Sequence, residues 1–515
     1  MKPIRLISGF FTVGGWTLAS RLLGFVREIM LTALIGPGPV MDAFVAAFRL
    51  PNMFRRFFAE GAFNAAFVPM FSKRLEAGDD PQGFAQDAFN LLALAVLALT
   101  GLAMLFMPAL VMATAGGFAG DARFDLAVDF GRVLFPYILF MALAALFSGV
   151  LNATGRFAAA AAAPVLLNIF ACGAMLAGWL AGGAVITWLL WVIPLAGAAQ
   201  LALVWTAADR AGIRLRPGRP RWTPAMRHMV AVALPAALAM GVTQVNLVVG
   251  QLVASRTEKA VSWLFAADRL YQLPLGVVGI AVGIVLLPDL SRRLRAGDGP
   301  GAQDALSRAG EFALILTLPS AVALVAVPLP LVSVLFQRGA TGAEDAAAMA
   351  LAVAVYGLGL PAFILHKLLQ PLFFARENTT APFRYALAAM AVNAAAAFGL
   401  YPLLGWIAPA IAATLAGWAM VALLLLGARR MGPEARFDAR FRRRLPRIAL
   451  AALVMGGALW ALTQPFAFGP LFTLPYWRIP ALLALIVTGA VIYFGTGHLL
   501  GGFRLGEFRR ALRRG

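Results

Sequence analysis

Long apolar segments recur along the whole chain and are separated by short polar segments. About fourteen of them hold roughly 20 or more mostly apolar residues, the length that a helix needs to cross a bilayer. They lie at 7–35, 41–71, 86–114, 124–151, 157–181, 185–207, 224–254, 260–289, 305–334, 344–374, 382–403, 406–428, 446–465 and 479–500. A transmembrane β-barrel would show shorter segments of alternating polarity. The pattern therefore predicts an all-α polytopic membrane protein with about fourteen transmembrane helices.

The polar segments alternate in charge along the chain. Basic residues follow the even-numbered spans, and the segment 209–223 contains Arg210, Arg214, Arg216, Arg219 and Arg221. The segments after odd-numbered spans, such as 337–345, carry little positive charge. Because cytoplasmic loops are enriched in Lys and Arg, both termini are predicted to be cytoplasmic. The first apolar run continues past Arg21, so we interpret it as a membrane helix and not as a cleaved signal peptide.

A weak internal repeat indicates how the spans are grouped. Pro69 and Pro288 both stand just before a serine and a basic pair, and they are 219 residues apart. Pro108 and Pro328 repeat at an offset of 220 residues. An offset of an even number of spans makes the two halves parallel copies, as in many secondary transporters.

The predicted organisation has four parts. An N-lobe at 1–208 holds spans 1 to 6, and a basic cytoplasmic linker follows at 209–223. A C-lobe at 224–428 holds spans 7 to 12, and 429–515 adds spans 13 and 14 with a basic loop and tail. The expected architecture is two parallel six-helix lobes around a central cavity, with two additional C-terminal helices.

Composition excludes several classes of protein. The chain is 61% hydrophobic and 13% charged, and its net charge of +20 comes mainly from the loops, which argues against nucleic-acid binding. Cys172 is the single cysteine, and the three histidines lie far apart, so no metal site is expected. There is no phosphate-loop motif and no nucleophile–base pattern. We expect a transporter and not an enzyme, with no cofactor, driven by a coupling ion or the membrane potential.

Ionisable residues are concentrated in the first two predicted spans. Such groups cost several kcal/mol each at bilayer depth and normally face a bundle interior or a watery cavity. The candidate residues are Arg21, Arg27, Glu28, Asp42, Arg49, Asn52, Arg55, Arg56 and Glu60, with Asp268 and Arg269 in span 8. The spacing of seven between Asp42, Arg49 and Arg56 predicts one shared helix face.

Arginines outnumber acids in this stretch, so ion pairs within it cannot neutralise every guanidinium. A surplus of guanidinium in a membrane cavity favours a phosphate-bearing ligand, because the planar fork binds phosphate oxygens in pairs. The alternative is that some of these side chains extend to the membrane interface or form structural ion pairs.

Three motifs resemble the MurJ (MviN) family of lipid II flippases, within the multidrug/oligosaccharidyl-lipid/polysaccharide exporter superfamily. They are SRLLGFVRE at 20–28, DAFVAAFRLPNMFRRFFAEGAFNAAFVP at 42–69 and ADRLYQLPLGVVGIAVGIVLLPDLS at 267–291. The resemblance covers essentially the full length. It implies a V-shaped pair of lobes in a bacterial cytoplasmic membrane, with a groove at the last two helices for a lipid tail.

The resemblance also implies a substrate and site residues. The substrate would be lipid II, an undecaprenyl-pyrophosphate carrying the peptidoglycan disaccharide-pentapeptide, and the cell-wall synthesis machinery is a candidate partner besides membrane lipids. Family cavity arginines match Arg21, Arg27, Arg55 and Arg269, and a functional family acid matches Asp42. The chain departs from the family at Gln272, where many members have an acid, and at Arg49, where some have Lys. The loss of an acid at Gln272 puts an ion-coupling role there in doubt.

Two other functions stay open at this point. A flippase for a different undecaprenyl-linked glycan would need the same pyrophosphate site. A multidrug or cation antiporter on the same scaffold should carry a surplus of cavity acids, which is the reverse of the observed pattern. A membrane transferase would need catalytic acids in sizeable loops, and the loops here are short.

Overall fold

The computed structural model describes residues 6–56, 62–464, 469–472, 474 and 476–503. Every regular element in these residues is a helix, which confirms the predicted all-α membrane class. The chain forms two compact units, residues 1–262 and residues 263–515. The lobe boundary at 209–223 stays a prediction.

The first unit contains the helices from the amino terminus to the start of α11. They are α1 (Leu6–Leu34), α2 (Pro39–Arg55), α3 (Ala62–Ala77), α4 (Pro81–Leu105), α5 (Met107–Ala115), α6 (Ala122–Leu134), α7 (Tyr137–Ala153), α8 (Phe157–Leu180), α9 (Val185–Arg210) and α10 (Pro224–Ala254). Helix α1 packs on α8, and α10 packs on α3 and α5.

The second unit contains most of α11 and the remaining helices. They are α11 (Ala260–Arg295), α12 (Gly299–Ala326), α13 (Pro328–Phe336), α14 (Ala343–Phe374), α15 (Thr380–Leu404), α16 (Ala408–Ala428), α17 (Ala439–Leu462) and α18 (Arg478–Leu499). Each predicted span overlaps one helix or two consecutive helices. Within the described residues, nine helical segments are long and apolar enough to cross a membrane. The count of about fourteen stays a prediction.

The internal repeat has a structural counterpart at α4–α5 and α12–α13. Asp80 caps α4 by accepting a hydrogen bond from the Gly83 amide at 2.9 Å, and Asp298 caps α12 through the Gly301 amide at 2.8 Å. Each long helix then ends just before a proline that lies in the first turn of the next helix. Because proline lacks an N–H group, it favours a helix start at this point.

Many large apolar side chains lie on the surface. Leu105, Leu180 and Leu403 are 68%, 71% and 80% exposed, and several tryptophans are more than half exposed. In a soluble protein such a surface would be unfavourable, but a membrane-spanning protein presents apolar side chains to lipid. The burial pattern agrees with the apolar segments read from the sequence.

Helices α17 and α18 pack on α12 through an apolar cluster. The cluster brings together Ile315 of α12, Ile448 and Met455 of α17, and Leu485 and Tyr493 of α18. The Tyr493 hydroxyl donates a hydrogen bond to the Ile315 carbonyl oxygen at 2.7 Å. The predicted spans 13 and 14 are therefore packed against α12 within the second unit.

An ionic cluster also fastens the start of α17 to α12. The Glu311 carboxylate accepts hydrogen bonds from Arg308 at 2.5 Å and Arg444 at 3.1 Å, and Arg440 lies 3.4 Å away. Arg308 also contacts Asp438, which caps α17. The Glu311 side chain is only 6% exposed, so its charge depends on these cations.

We expect Glu311→Gln to lower the free energy of unfolding by about 2 kcal/mol, because a buried acceptor of charged hydrogen bonds is lost. Thermal unfolding of the purified protein in detergent measures the change. The control is Asp129→Asn, since Asp129 lies 3.9 Å from Arg132 in an exposed pair. Such pairs contribute about 0–1 kcal/mol. Equal destabilisation by the two changes would contradict a structural role for the Glu311 cluster.

Candidate anion-binding site

Helix α1 carries the first three candidate residues. Arg21 is exposed, whereas the Arg27 side chain is 18% exposed and pairs with Glu28 at 2.6 Å. Neighbouring residues on a helix point about 100° apart, but the long Arg27 side chain reaches back to the buried Glu28 carboxylate. One carboxylate does not saturate a guanidinium, which has five N–H donors. Arg27 thus combines a fixed position with remaining capacity for oxygen ligands.

Helix α1 is held in place from α8. The Asn168 side-chain amide donates a hydrogen bond to the Ser20 carbonyl oxygen at 2.9 Å. Gly24 lies one turn further on, and a Cβ added there would meet Asn168 at 3.6 Å. This contact fixes the height of α1, and hence of Arg21 and Arg27, along α8.

Helix α2 carries a second group of polar residues, all of them half-buried: Arg49, Asn52, Arg55 and Arg56. Asn52 orients Arg55, because its side-chain oxygen accepts a hydrogen bond from Arg55 Nε at 3.3 Å. The Asn52 amide nitrogen in turn donates to the Phe48 carbonyl at 2.9 Å. Arg49 lies 3.5 Å from the Leu247 carbonyl oxygen of α10. Glu60, the other candidate on this span, lies outside the described residues.

Asp42 has a different environment from these arginines. It is 0% exposed, and its carboxylate accepts hydrogen bonds from the Lys259 amide at 2.8 Å and the Ser262 amide at 2.9 Å. The Ser262 hydroxyl donates to it as well. Helix α11 starts at Ala260, so Asp42 satisfies amides at the start of that helix from a distant part of the chain. Lys259 has a φ of 66°, which turns the chain into the helix.

Arg123 completes this network and was not among the sequence candidates. Its guanidinium lies 3.4 Å from the Asp42 carboxylate and 2.6 Å from Asp121, and it donates to the Thr257 carbonyl at 3.3 Å. Hydrogen bonds from Arg123 hold the pKa of the Asp121 carboxyl below its usual value. One local sequence signal was available: Asp121 directly precedes a helix, and an acid at that position commonly caps the helix. The remote partners, Asp42 and Thr257, have no local signal.

The shared-face prediction for Asp42, Arg49 and Arg56 thus covers two different environments. Asp42 lies where α2 meets α6 and the start of α11, and it is fully enclosed. Arg49 and Arg56 lie one and two heptads further along and remain half-buried. A single helix face meets different neighbours along its length, so equal spacing does not give equal exposure.

In the second unit, Asp268 and Arg269 point to separate partners. Asp268 accepts a hydrogen bond from Gln272, one turn away. The Arg269 guanidinium lies over the Phe265 ring at 4.4 Å from its centroid. Whether Arg269 shares a cavity with the arginines of α1 and α2 stays a prediction.

The arginines of α1 and those of α2 are each suited to bind an anion. Within the described residues no group of three His, Cys, Asp or Glu side chains could hold a metal ion. Arg21, Arg27, Arg49, Arg55 and Arg56 instead present guanidinium groups at partly exposed positions. Asp42 is enclosed and bonded to Arg123, so it offers these arginines little neutralisation. Partly exposed guanidinium groups recognise phosphate oxygens by paired hydrogen bonds.

Comparison with known proteins gives a consistent family. A family model described as "Lipid II flippase MurJ" matches residues 31–477 of the chain. A protein of Rhizobium meliloti (strain 1021), named "Probable lipid II flippase MurJ", is 44% identical and covers 99% of this chain and 97% of its own length. "Lipid II flippase MurJ" of Burkholderia cenocepacia is 33% identical, with 98% of this chain and 99% of the relative covered.

Solved structures show a similar fold. "Lipid II flippase MurJ, inward closed conformation" superimposes with a TM-score of 0.79 at 23% identity, over 95% of this chain and 98% of that one. An inward-facing multidrug resistance MATE family transporter of the MOP superfamily gives a TM-score of 0.65 at 15% identity, over 82% of this chain and 96% of that one. At these identities the likeness concerns the fold alone.

We expect Asp42→Asn to open the network around the start of α11. Asparagine keeps the size of the side chain but loses the charge that faces Arg123 and one acceptor for the Lys259 and Ser262 hydrogen bonds. In a Cys172→Ala background, labelling of Ala254→Cys by a thiol reagent reports the opening, since Ala254 is 2% exposed. The labelling rate should rise about tenfold or more.

The matched control for this measurement is Asp125→Asn, an exposed acid in the first turn of α6. It should leave the labelling rate unchanged. A rate for Asp42→Asn equal to that of the control would show that the network does not close this region.

Proposed function

The chain belongs to the MurJ family of lipid II flippases, and we propose that it binds the pyrophosphate of lipid II through the arginines of α1 and α2. It moves this peptidoglycan precursor across the membrane from the inner to the outer leaflet. The observation that carries the proposed binding mode is the partly exposed position of the guanidinium groups of Arg21, Arg27 and Arg55. A pyrophosphate is doubly charged or more and presents several oxygens, so more than one guanidinium can bind it.

The arginines are held ready for such a ligand. Glu28 fixes Arg27, and Asn52 fixes Arg55, through the hydrogen bonds described above. A guanidinium that is already positioned loses less conformational entropy when it binds its ligand. Arg269 of α11 is proposed to contribute a further guanidinium to pyrophosphate binding.

Movement between leaflets needs a site that opens to one side at a time. The loop 255–259 follows predicted span 7 and lies on the predicted extracytoplasmic side. Asp42 and Arg123 tie this loop and the first turn of α11 to α2 and α6. We propose that this network is closed while the site is open to the cytoplasm, and that it separates when lipid II is released.

The energy source is proposed to be an ion gradient or the membrane potential. The sequence has no phosphate-loop motif, and the loops are too short to hold a nucleotide-binding domain. Moving charged side chains within the membrane field couples their position to the potential, at about 2.3 kcal/mol per charge per 100 mV. Gln272 in place of an acid makes Asp268 the remaining carboxylate of that helical turn.

The protein is a multi-pass membrane protein, and we place both termini on the cytoplasmic side of the bacterial inner membrane. The basic segments after even-numbered spans support this orientation. Lipid II and membrane lipids are its proposed partners, and contact with the cell-wall synthesis machinery is a further proposal. A flippase for another undecaprenyl-linked glycan would use the same arginines, so only the transported glycan distinguishes the two.

Depletion of the protein in a dividing bacterium that carries it should cause lipid II to accumulate on the cytoplasmic leaflet, followed by lysis. The measurement is labelling of lipid II with a reagent that acts only from outside the cell. Normal labelling in depleted cells would refute lipid II as the substrate. Loss of a different undecaprenyl-linked glycan from the surface would support the alternative.

Arg27→Ala and Arg269→Ala should each abolish complementation of depleted cells, and Arg27→Lys should retain little activity, because Lys lacks the planar fork. The control is Arg132→Ala, since Arg132 is a half-exposed residue in a weak surface pair with Asp129. Membrane levels of all variants must match. Full activity of both alanine variants would remove the proposed pyrophosphate site.

A further inference from the structure

The first unit contains a cavity lined by arginines that do not belong to α1 or α2. It has a volume of about 900 Å³ and lies between the start of α4, the extended segment 213–223 and the start of α10. Its lining includes Arg74, Arg216, Arg219 and Arg221. The same segment is part of the predicted cytoplasmic linker, so the cavity lies at the predicted cytoplasmic surface.

Side-chain amides of α4 hold the linker in an extended conformation. Gln86 accepts a hydrogen bond from the Arg216 amide at 2.9 Å and donates to the Arg216 carbonyl at 2.5 Å. Asn90 accepts from the Gly218 amide at 3.0 Å and donates to the Arg219 carbonyl at 3.4 Å. Gln86 also donates to the Asn90 oxygen at 3.1 Å. These contacts form a two-amide clamp on the linker backbone.

The clamp determines where the arginine side chains lie. Leu215 is 0% exposed and anchors the segment, while Arg216, Arg219 and Arg221 are exposed. A Cβ added at Gly218 would meet the Asn90 amide nitrogen at 3.2 Å, so glycine lets the backbone approach α4 closely. Loop arginines that served only to orient the protein in the membrane would need no such fixed geometry.

Among the residues that line the cavity, arginines outnumber acids. Its lining holds four arginines and two acids, Asp80 and Asp87. Asp80 accepts the Gly83 amide hydrogen bond as the cap of α4, and Asp87 lies 4.0 Å from Arg221. Arg74 is further positioned over the Phe84 ring, at 5.0 Å from its centroid. Arg216 also pairs with Asp209 at 3.1 Å, and Arg74 pairs with Asp79 at 3.2 Å. Each of these pairs leaves guanidinium N–H groups that suit a phosphate anion.

The neighbourhood of the cavity favours a lipid as the source of that phosphate. Trp222 is 58% exposed and directly follows Arg221. Tryptophan is enriched where a membrane protein meets the interface between lipid and water. Basic residues near the cytoplasmic surface attract anionic lipid headgroups.

We propose that this cavity binds the phosphodiester headgroup of an anionic glycerophospholipid from the cytoplasmic leaflet. The arginines contact the phosphate oxygens. Trp222 lies at the interface, where the lipid headgroups meet the acyl chains. A bound lipid would hold the linker between α9 and α10 against α4. This site is separate from the proposed pyrophosphate site and does not depend on it.

The test uses the full-length protein in detergent and titrates phosphatidylglycerol, with native mass spectrometry counting the bound lipids. We expect one saturable site that phosphatidylcholine does not fill. Arg219→Gln combined with Arg221→Gln should weaken binding about tenfold or more. The control, Arg292→Gln with Arg295→Gln, removes the same charge from exposed positions at the end of α11 and should change affinity less than about twofold.

A further variant separates a built site from general electrostatic attraction. Gln86→Leu keeps every arginine but removes the linker clamp, and it should weaken binding as much as the loss of the two arginines. If Gln86→Leu unfolds the protein, Asn90→Ser provides the same comparison with a smaller change. Equal weakening in the Arg292 and Arg295 control, or unchanged binding without the clamp, would overturn the proposal.

A competition experiment distinguishes a lipid phosphate from a free phosphate ester. Soluble glycerol phosphate, added at the concentration that saturates with phosphatidylglycerol, should not displace the lipid. Displacement at equal concentration would overturn the lipid assignment and would show that the cavity recognises a free phosphate ester.

Discussion

The cost of keeping an ionised side chain inside a membrane protein is the constraint on which this structure depends. A charged group at bilayer depth needs a partner, a watery cavity or a ligand. Asp42 shows the first solution, because Arg123 and amides at the start of α11 surround it completely. The arginines of α1 and α2 differ from Asp42, since they are half-buried or exposed. The same cost is thus met by a structural network at one end of α2 and, in our proposal, by a bound anion further along it.

These two features give the lipid II flippase a consistent mechanism. In the proposed binding mode, a pyrophosphate bound by guanidinium groups leaves on the other side, so part of the protein separates during each cycle. Hydrogen bonds between a buried carboxylate and amides are strong while closed, but water can replace them once they open. In our proposal, Asp42 and Arg123 therefore form a contact that is stable when closed and can open again.

The fold was predictable where its cause is local. Apolar segments gave the helices, and the proline offsets gave the repeat that the structure shows as matching caps and helix breaks at Pro108 and Pro328. Ion pairs between helices that are distant in the sequence were less predictable. Arg308 and Glu311 could be recognised as a nearby pair, but Arg440 and Arg444 reach the same carboxylate from more than a hundred residues away. Such contacts depend on how α17 packs on α12, which no short sequence pattern specifies.

The sequence by itself determined the class of protein, the candidate arginines and their excess over acids, because hydropathy and charge are properties of the residues alone. The family motifs then indicated the substrate. Only the tertiary structure decided which charged side chains form hydrogen bonds or ion pairs within the protein. It placed Asp42 with Arg123 and Ser262, and it placed Gln86 against the linker backbone. The physical reason is that burial and hydrogen-bond partners are set by distant segments, so residues with the same spacing on one helix can serve different roles.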